Sequence, residues 1–202
     1  MPAPRRTVAA RSNRRELLVF TEGAVTEEAY LRYWHRRYRA RVNVEIAEFH
    51  GTPLTLIERA VAAKASNERA ERKGRGRAHD EVWCVFDVDE HPYLPEAVEL
   101  ARANGIHLAI SNPCIELWFV LHFGDQTAYL ERGAAQTQAQ ARLNCEKNLD
   151  ESALAMLATH FAAAKRRAVA LDAKHEGDGT PAPGNPSSGV WRVVDAIVKP
   201  PG

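Results

Sequence analysis

Short apolar runs alternate with helix-like segments through the first 123 residues of the chain. Residues 16–21 (ELLVFT), 82–86 (VWCVF) and 107–111 (HLAIS) have the length and apolar character of buried strands. Residues 42–46 alternate between apolar and polar side chains, which predicts a further strand. Between these runs apolar residues recur at helical spacing, so the order is β-α-β-α-β-α-β-α. This alternation predicts an α/β fold with a mostly parallel sheet and helices on both faces.

The pattern changes after residue 123. Residues 124–175 are rich in Ala and Gln and predict two helices, while residues 177–189 form a Pro/Gly-rich loop. The apolar segment 190–198 predicts a short helix or strand. We therefore expect an α/β domain over residues 16–123 and a helical C-terminal region over 124–202, packed on the same core. Residues 1–15 are expected to form a flexible basic arm.

Composition narrows the classes of protein. The 202 residues carry a net charge of +1, and no apolar run approaches the roughly 18 residues that a membrane span needs. The three cysteines include no CxxC pair, which predicts a reducing, cytoplasmic location. Because the net charge gives no general attraction to nucleic acid, binding would depend on local basic patches. The candidates besides the arm are Arg69, Arg72, Lys73, Arg75 and Arg77, although a solvated helix end explains that segment equally well.

Acidic residues follow two of the predicted strands. Glu22 comes directly after the first strand and before Gly23, and Asp87 and Asp89 follow the strand at 82–86. The carboxyl ends of parallel strands meet at one edge of a sheet, and side chains two positions apart on an extended segment point the same way. Neighbouring carboxylates repel one another unless a cation neutralises them, and hard oxygen ligands suit Mg²⁺. The sequence therefore predicts a site for Mg²⁺ or Mn²⁺.

Other interpretations of these residues exist. A lone Asp-x-Asp also occurs in the nucleotide-sugar site of glycosyltransferases and in haloacid-dehalogenase-like phosphatases, and Asp is common in plain turns. The combination with Glu22-Gly23 two strands earlier is more restrictive. Gly23 would permit a tight strand-to-helix turn and the approach of a phosphate to the helix start. Glu22 remains either a metal ligand or a general acid/base.

The strand-end Glu before Gly, followed by a strand-end Asp-x-Asp, resembles the Toprim pattern of topoisomerases, primases and overcoming-lysogenization-defect nucleases over residues 16–123. Four segments more closely resemble the RloB-like family: 16–31, 82–91, 110–123 and 185–190. The most specific of them is SNPCIELWFVLHF. This resemblance implies a role in bacterial antiphage or restriction loci, with an ABC-type ATPase encoded nearby as partner.

The resemblance also implies residue roles. Glu22 matches the Toprim glutamate, Asp87 and Asp89 match the metal-binding aspartates, and Glu27 and Glu116 match further acidic positions of the family. From the residues alone, Glu27 would equally favour the positive end of its helix. Glu116 stands in an apolar helix, where a buried carboxylate needs a cation or a hydrogen-bond partner. We expect Asn112, at the start of the same helix, to contact phosphate or a metal-bound water.

These observations favour a Mg²⁺- or Mn²⁺-dependent phosphodiester-cleaving nuclease acting on RNA, tRNA included, or DNA. Its expected catalytic residues are Glu22, Asp87, Asp89 and Glu116, with Glu27 as a further metal ligand. Two alternatives stay open: a non-catalytic subunit of a defence complex that binds an ATPase partner, and a phosphotransferase acting on small nucleotides. A homo-oligomer is compatible with the sequence.

Overall fold

The structure, a computed structural model, describes residues 14–88, 91, 93–145 and 148–200. Within these residues the chain forms five strands and seven helices. The strands are β1 (Arg15–Thr21), β2 (Val42–Ile46), β3 (Glu81–Asp87), β4 (His107–Asn112) and β5 (Ser187–Ser188). The helices are α1 (Thr26–Tyr38), α2 (Pro53–Arg72), α3 (Leu94–Ala103), α4 (Ile115–Leu121), α5 (Arg132–Leu143), α6 (Glu151–Gly177) and α7 (Val190–Val198). Asp89 and most of the expected basic arm, residues 1–13, lie outside the described residues.

The five strands form one sheet in the order β2-β1-β3-β4-β5. The first four strands are mutually parallel, which confirms the predicted α/β fold with a mostly parallel sheet. The short strand β5 pairs antiparallel with the end of β4, through Ser111 opposite Ser188 and Asn112 opposite Ser187. The two residues of β5 lie within the segment 177–189, which was expected to be a loop, so this strand corrects that prediction.

Successive side chains of each strand point to opposite faces, and helices cover both faces. On β1, Leu17 and Val19 belong to a large core beneath α1, α4, α5, α6 and α7. Leu18 and Phe20 point the other way, into a smaller core beneath α2 and α3. The predicted two-sided covering is therefore confirmed, and residues after 130 share the larger core with the first half of the chain.

The aromatic stripe of α1 packs inside the larger core, as expected from its spacing. Tyr30 and Trp34 are buried, and Tyr30 meets α4 through a hydrogen bond that the Trp118 indole N–H donates to the Tyr30 hydroxyl at 2.9 Å. Pairing these two buried polar groups avoids the cost of leaving either one unsatisfied. In the described part of the chain, every helix is too short or too polar to span a bilayer.

The winding of the chain places a crevice between β1 and β3. From β1 the chain moves to β2 on one side and afterwards to β3 on the other, so β1 and β3 are hydrogen-bonded neighbours whose connections leave in opposite directions. In open α/β sheets, ligands bind at such a switch point, outside the carboxyl ends of the strands. Glu22 directly follows β1 and Asp87 ends β3, so both stand at this point.

Candidate acidic site at the strand ends

Glu22 is tied to the end of the neighbouring strand. Its backbone N–H donates to the Val85 carbonyl at 3.0 Å, which extends the ladder between β1 and β3 by one residue. Its carboxylate accepts a hydrogen bond from the Asp87 backbone N–H at 3.0 Å, and its other oxygen lies 3.4 Å from Nε2 of His91. The sheet therefore fixes the position of Glu22 beside Asp87, as the two strand ends predicted.

Asp87 is a buried acid at the end of β3. Its side chain is only 10% exposed, and its Oδ2 accepts a hydrogen bond from Nη2 of Arg132 at 2.7 Å. Burial raises the pKa of Asp87 to about 8, the Arg132 guanidinium opposes the rise, and the charges of Glu27 and Glu22 add to it. Any further positive charge placed next to a carboxyl in this setting stabilises its ionised form.

Glu27 lies in the first turn of α1 and is folded back toward the strand end. Its carboxylate is so close to Gly23 that a Cβ at that position would stand 2.5 Å from Oε2. The side chain is buried, and burial raises its pKa, while bonds from the backbone N–H groups of Glu27 and Gly23 oppose the rise. A side chain at position 23 would therefore displace the Glu27 carboxylate from its present position.

Glu116 approaches the same region from α4. The negative charge of Glu116 raises the pKa of Glu27. The pKa of the Cys114 thiol is raised mainly by burial, and the charges of Glu116 and Asp87 add to that rise. The Glu116 side chain is half-buried and lines a small cavity of about 40 Å³ that Thr26 and Gln140 also line. Glu116 therefore acts electrostatically on Glu27 of α1.

Four acids consequently influence one another at the switch point: Glu22, Glu27, Asp87 and Glu116. Among the residues that the structure describes, no group of three Asp, Glu, His or Cys side chains is arranged so that it could hold a metal ion. The guanidinium of Arg132 supplies the positive charge at Asp87 instead. In donor chemistry the cluster fits a hard cation, because its ligand atoms are carboxylate oxygens and its burial disfavours unneutralised negative charge.

A wide cleft opens beside Asp87. It encloses about 690 Å³ and is bordered by Val88, which follows Asp87 directly. Its remaining lining comes from the start of α4, the segment before α5 and the loop before β5, namely Asn112, Pro113, Tyr129, Glu131, Arg132 and Asn185. Asp87 does not line this cleft itself, but two of the lining residues adjoin it: Val88 follows it in the chain, and Arg132 donates a hydrogen bond to it.

The other predicted residues divide into two groups. Asn112 does line the cleft, but its amide donates to the Pro183 carbonyl at 2.8 Å and accepts from Asn185 at 3.2 Å, so it holds the loop before β5. The basic segment Arg69–Arg77 lies at the opposite edge of the sheet, where Arg77 donates to the Arg14 carbonyl near the start of β1. The amino and carboxyl ends of β1 are about 20 Å apart, because the strand has seven residues, so this basic segment is about that far from the acidic site.

Two residues of the site were not assigned a role from sequence. Arg132 contacts Asp87 from 45 positions away, and no motif or spacing connects the two. His91 is close to the Asp-x-Asp segment, but its contact with Glu22 on another strand becomes visible only once the sheet is assembled. The signal that could have found Arg132 is a long cation at the start of a helix, which is too common to be specific.

Fold and site together define a doubly wound α/β protein with an acidic cluster at its switch point and a cleft beside it. A family model described as RloB-like protein matches residues 17–197, and the chain therefore belongs to the RloB-like family. No curated protein and no solved structure gives a significant match to the chain.

Proposed function

We propose that the chain is a Mg²⁺- or Mn²⁺-dependent nuclease of the Toprim type, acting on RNA, tRNA included, or on DNA. The observation that carries the proposal is the convergence of Glu22, Glu27 and Asp87 at one end of two neighbouring parallel strands, with Glu116 acting on the same cluster. Structural carboxylates are usually spread apart or paired with bases one to one. A buried group of acids beside an open cleft instead suits a site that receives positive charge.

The residues divide into distinct tasks in this proposal. Asp87, and Asp89 two positions later, would hold the cation, with Glu27 as a further oxygen donor. Glu22, fixed by the Asp87 backbone N–H and by His91, either completes the ligand set or moves a proton to or from the attacking oxygen. A bound divalent cation would supply activation of a water molecule and stabilisation of charge on the phosphate. Glu116 would support Glu27 from α4.

Arg132 has a place in the same proposal. Arg132 donates a hydrogen bond to Asp87, and on cation binding its guanidinium would become available to a substrate phosphate, to which guanidinium groups bind well. Membership of the RloB-like family supports a setting in bacterial antiphage or restriction systems. We extend the proposal to a partner, an ABC-type ATPase encoded nearby, and to action in the cytoplasm.

The experiment is a cleavage assay on the purified full chain with Mn²⁺, using end-labelled tRNA, single-stranded DNA and double-stranded DNA. We expect cleavage of at least one polynucleotide, and an Asp87→Asn variant should be slower by about 100-fold or more because the cation loses its principal ligand. Glu96→Gln is the matched control, since Glu96 is an exposed acid in the first turn of α3. It should cleave like the wild type.

Equal cleavage by the wild type and the Asp87→Asn variant would contradict the proposal. The alternative functions give different results. A non-catalytic subunit would cleave nothing, would show no heat of Mn²⁺ binding, and would co-purify with the neighbouring ATPase. A phosphotransferase for small nucleotides would turn over mononucleotides and leave polynucleotides intact.

A further inference from the structure

The cleft beside Asp87 carries an aromatic side chain whose ring is left in solvent. Tyr129 is 72% exposed and is the most exposed of the large hydrophobic residues in the described part of the chain. Its neighbour Leu130 is buried in the larger core. A ring that is mostly exposed on the wall of a cleft can stack on a ligand with a flat apolar face.

The backbone that presents Tyr129 is held firmly. The side-chain amide of Asn185 binds both backbone groups of Leu130: its oxygen accepts from the Leu130 N–H at 2.9 Å, and its nitrogen donates to the Leu130 carbonyl at 3.0 Å. The same nitrogen also donates to the Asn112 side chain at 3.2 Å. The residue after Tyr129 is therefore anchored to β4 and to the loop before β5, which keeps the ring at the cleft at little further entropic cost on binding.

Tyr129 and the acidic site share this cleft. Arg132, three residues after Tyr129, has a side chain that is 40% exposed and reaches Asp87 at 2.7 Å. Val88 on the same wall follows Asp87 in the chain. The lining of the cleft thus combines an exposed aromatic ring with a guanidinium that is itself hydrogen-bonded to the buried Asp87.

We propose that Tyr129 is a stacking platform for an unpaired nucleobase next to the phosphodiester that the acidic site receives. The substrate class is therefore a single-stranded or looped segment of a polynucleotide. This inference rests on the proposed function. A nucleobase offers the flat apolar face, and its adjoining phosphate offers the negative charge that matches Arg132.

The preference for unpaired bases follows from the way in which an aromatic side chain contacts a base. In a duplex both faces of each base are covered by neighbouring bases, so a protein ring can stack only on a base that is unstacked or splayed out. A single strand can place one base on Tyr129 and one phosphate at Arg132. Among its described residues, the cleft lining offers no second basic residue for the phosphates of a complementary strand.

The test is binding of fluorescent oligonucleotides of about 12 nucleotides, as single strands of RNA and DNA and as the blunt duplex. Fluorescence anisotropy is measured with Ca²⁺ in place of Mn²⁺ and read before any cleavage product appears, so that a divalent cation can occupy the site. We expect the wild type to bind a single strand more tightly than the duplex. Tyr129→Ala should weaken single-strand binding by about 10-fold and leave duplex binding unchanged. Tyr129→Phe keeps the ring and should bind within about 2-fold of the wild type.

Tyr93→Ala is the matched control, because Tyr93 is also exposed, at 60%, and precedes α3 rather than lining this cleft. It should bind like the wild type. Single-strand affinity that is unchanged in Tyr129→Ala would overturn the inference, and so would an equal loss for single strand and duplex or a wild type that prefers the duplex. Absence of any wild-type binding to a single strand would overturn it as well. Cleavage that depends on Asp87 but not on Tyr129 would remove this inference alone, whereas Tyr129-dependent binding without cleavage would remove the nuclease function alone.

Discussion

The buried carboxyl of Asp87 should make the free energy of unfolding depend on pH. Burial, with Glu27 and Glu22 adding to it, raises the pKa of this group from 3.8 to about 8. A group whose pKa is raised on folding contributes stability that is fully present below the unfolded value and is lost as pH rises to the folded value. The metal-free protein should therefore lose stability between about pH 4 and pH 8 because of this one side chain.

The size of the effect follows from the same shift. A change from 3.8 to about 8 corresponds to an upper limit of about 6 kcal/mol, at about 1.4 kcal/mol for each pKa unit. Relaxation of the site and entry of water reduce the penalty of a buried ion, so we expect about 2 to 6 kcal/mol. The Asp87→Asn variant has nearly the same shape and does not ionise, so it should be more stable than the wild type by this amount near pH 9. Near pH 4 the two should be equal.

The assay is urea unfolding followed by circular dichroism, with EDTA present, at several pH values from about 4 to 9. The free energy of unfolding of each variant is obtained by linear extrapolation. Asp125→Asn is the control, because Asp125 also pairs with an arginine, Arg167 at 2.8 Å, but is 80% exposed. An exposed pair of this kind contributes little, so this variant should follow the wild type across the pH range.

Mn²⁺ provides a second arm of the same experiment. A ligand that binds only the folded state stabilises it, so Mn²⁺ should raise the stability of the wild type near neutral pH and narrow its gap to Asp87→Asn. The reasoning is refuted if Asp87→Asn is less stable than the wild type near pH 9. A gap that stays constant across the pH range refutes it equally.

Three further changes test other contacts of the structure. Gly23→Ala places a methyl group 2.5 Å from the Glu27 carboxylate, so calorimetry should show lost Mn²⁺ binding, whereas Gly124→Ala, with open space around it, should bind normally. Burial lowers the pKa of His122 to about 3, so the wild type should lose stability as pH falls from 6.5 toward 3, and His122→Phe should flatten that loss in acid unfolding curves. Tyr30→Phe removes the acceptor of the buried indole of α4 and should lower the free energy of unfolding by about 1 to 3 kcal/mol in urea.

The sequence predicted the sheet well because its strands are buried on both sides. Runs such as residues 82–86 are apolar throughout, and the structure shows why, since Trp83 and Val85 face one core while Cys84 and Phe86 face the other. The strand β5 could not be predicted in this way. It has two serines, it follows a Pro/Gly-rich loop, and it exists only because its backbone pairs with the end of β4.

The candidate site was predictable where it depends on strand ends and unpredictable where it depends on helices. Glu22 and Asp87 were expected together because parallel strands end at the same edge, and the hydrogen bond between them follows from that. The burial of Glu27 depends on how α1 leaves the sheet, which its charge pattern does not reveal. Arg132 meets Asp87 only through the packing of α5 on α4, a contact that local sequence does not encode.

The most direct measurement is anomalous diffraction from crystals of the protein soaked in Mn²⁺. We predict a strong peak at about 2 Å from a carboxylate oxygen of Asp87, the usual range for a small divalent cation, with the Arg132 guanidinium moved away from that carboxylate. A Mn²⁺-saturated crystal in which Arg132 still pairs with Asp87, with no anomalous peak at the ends of β1 and β3, would contradict a metal-dependent site there.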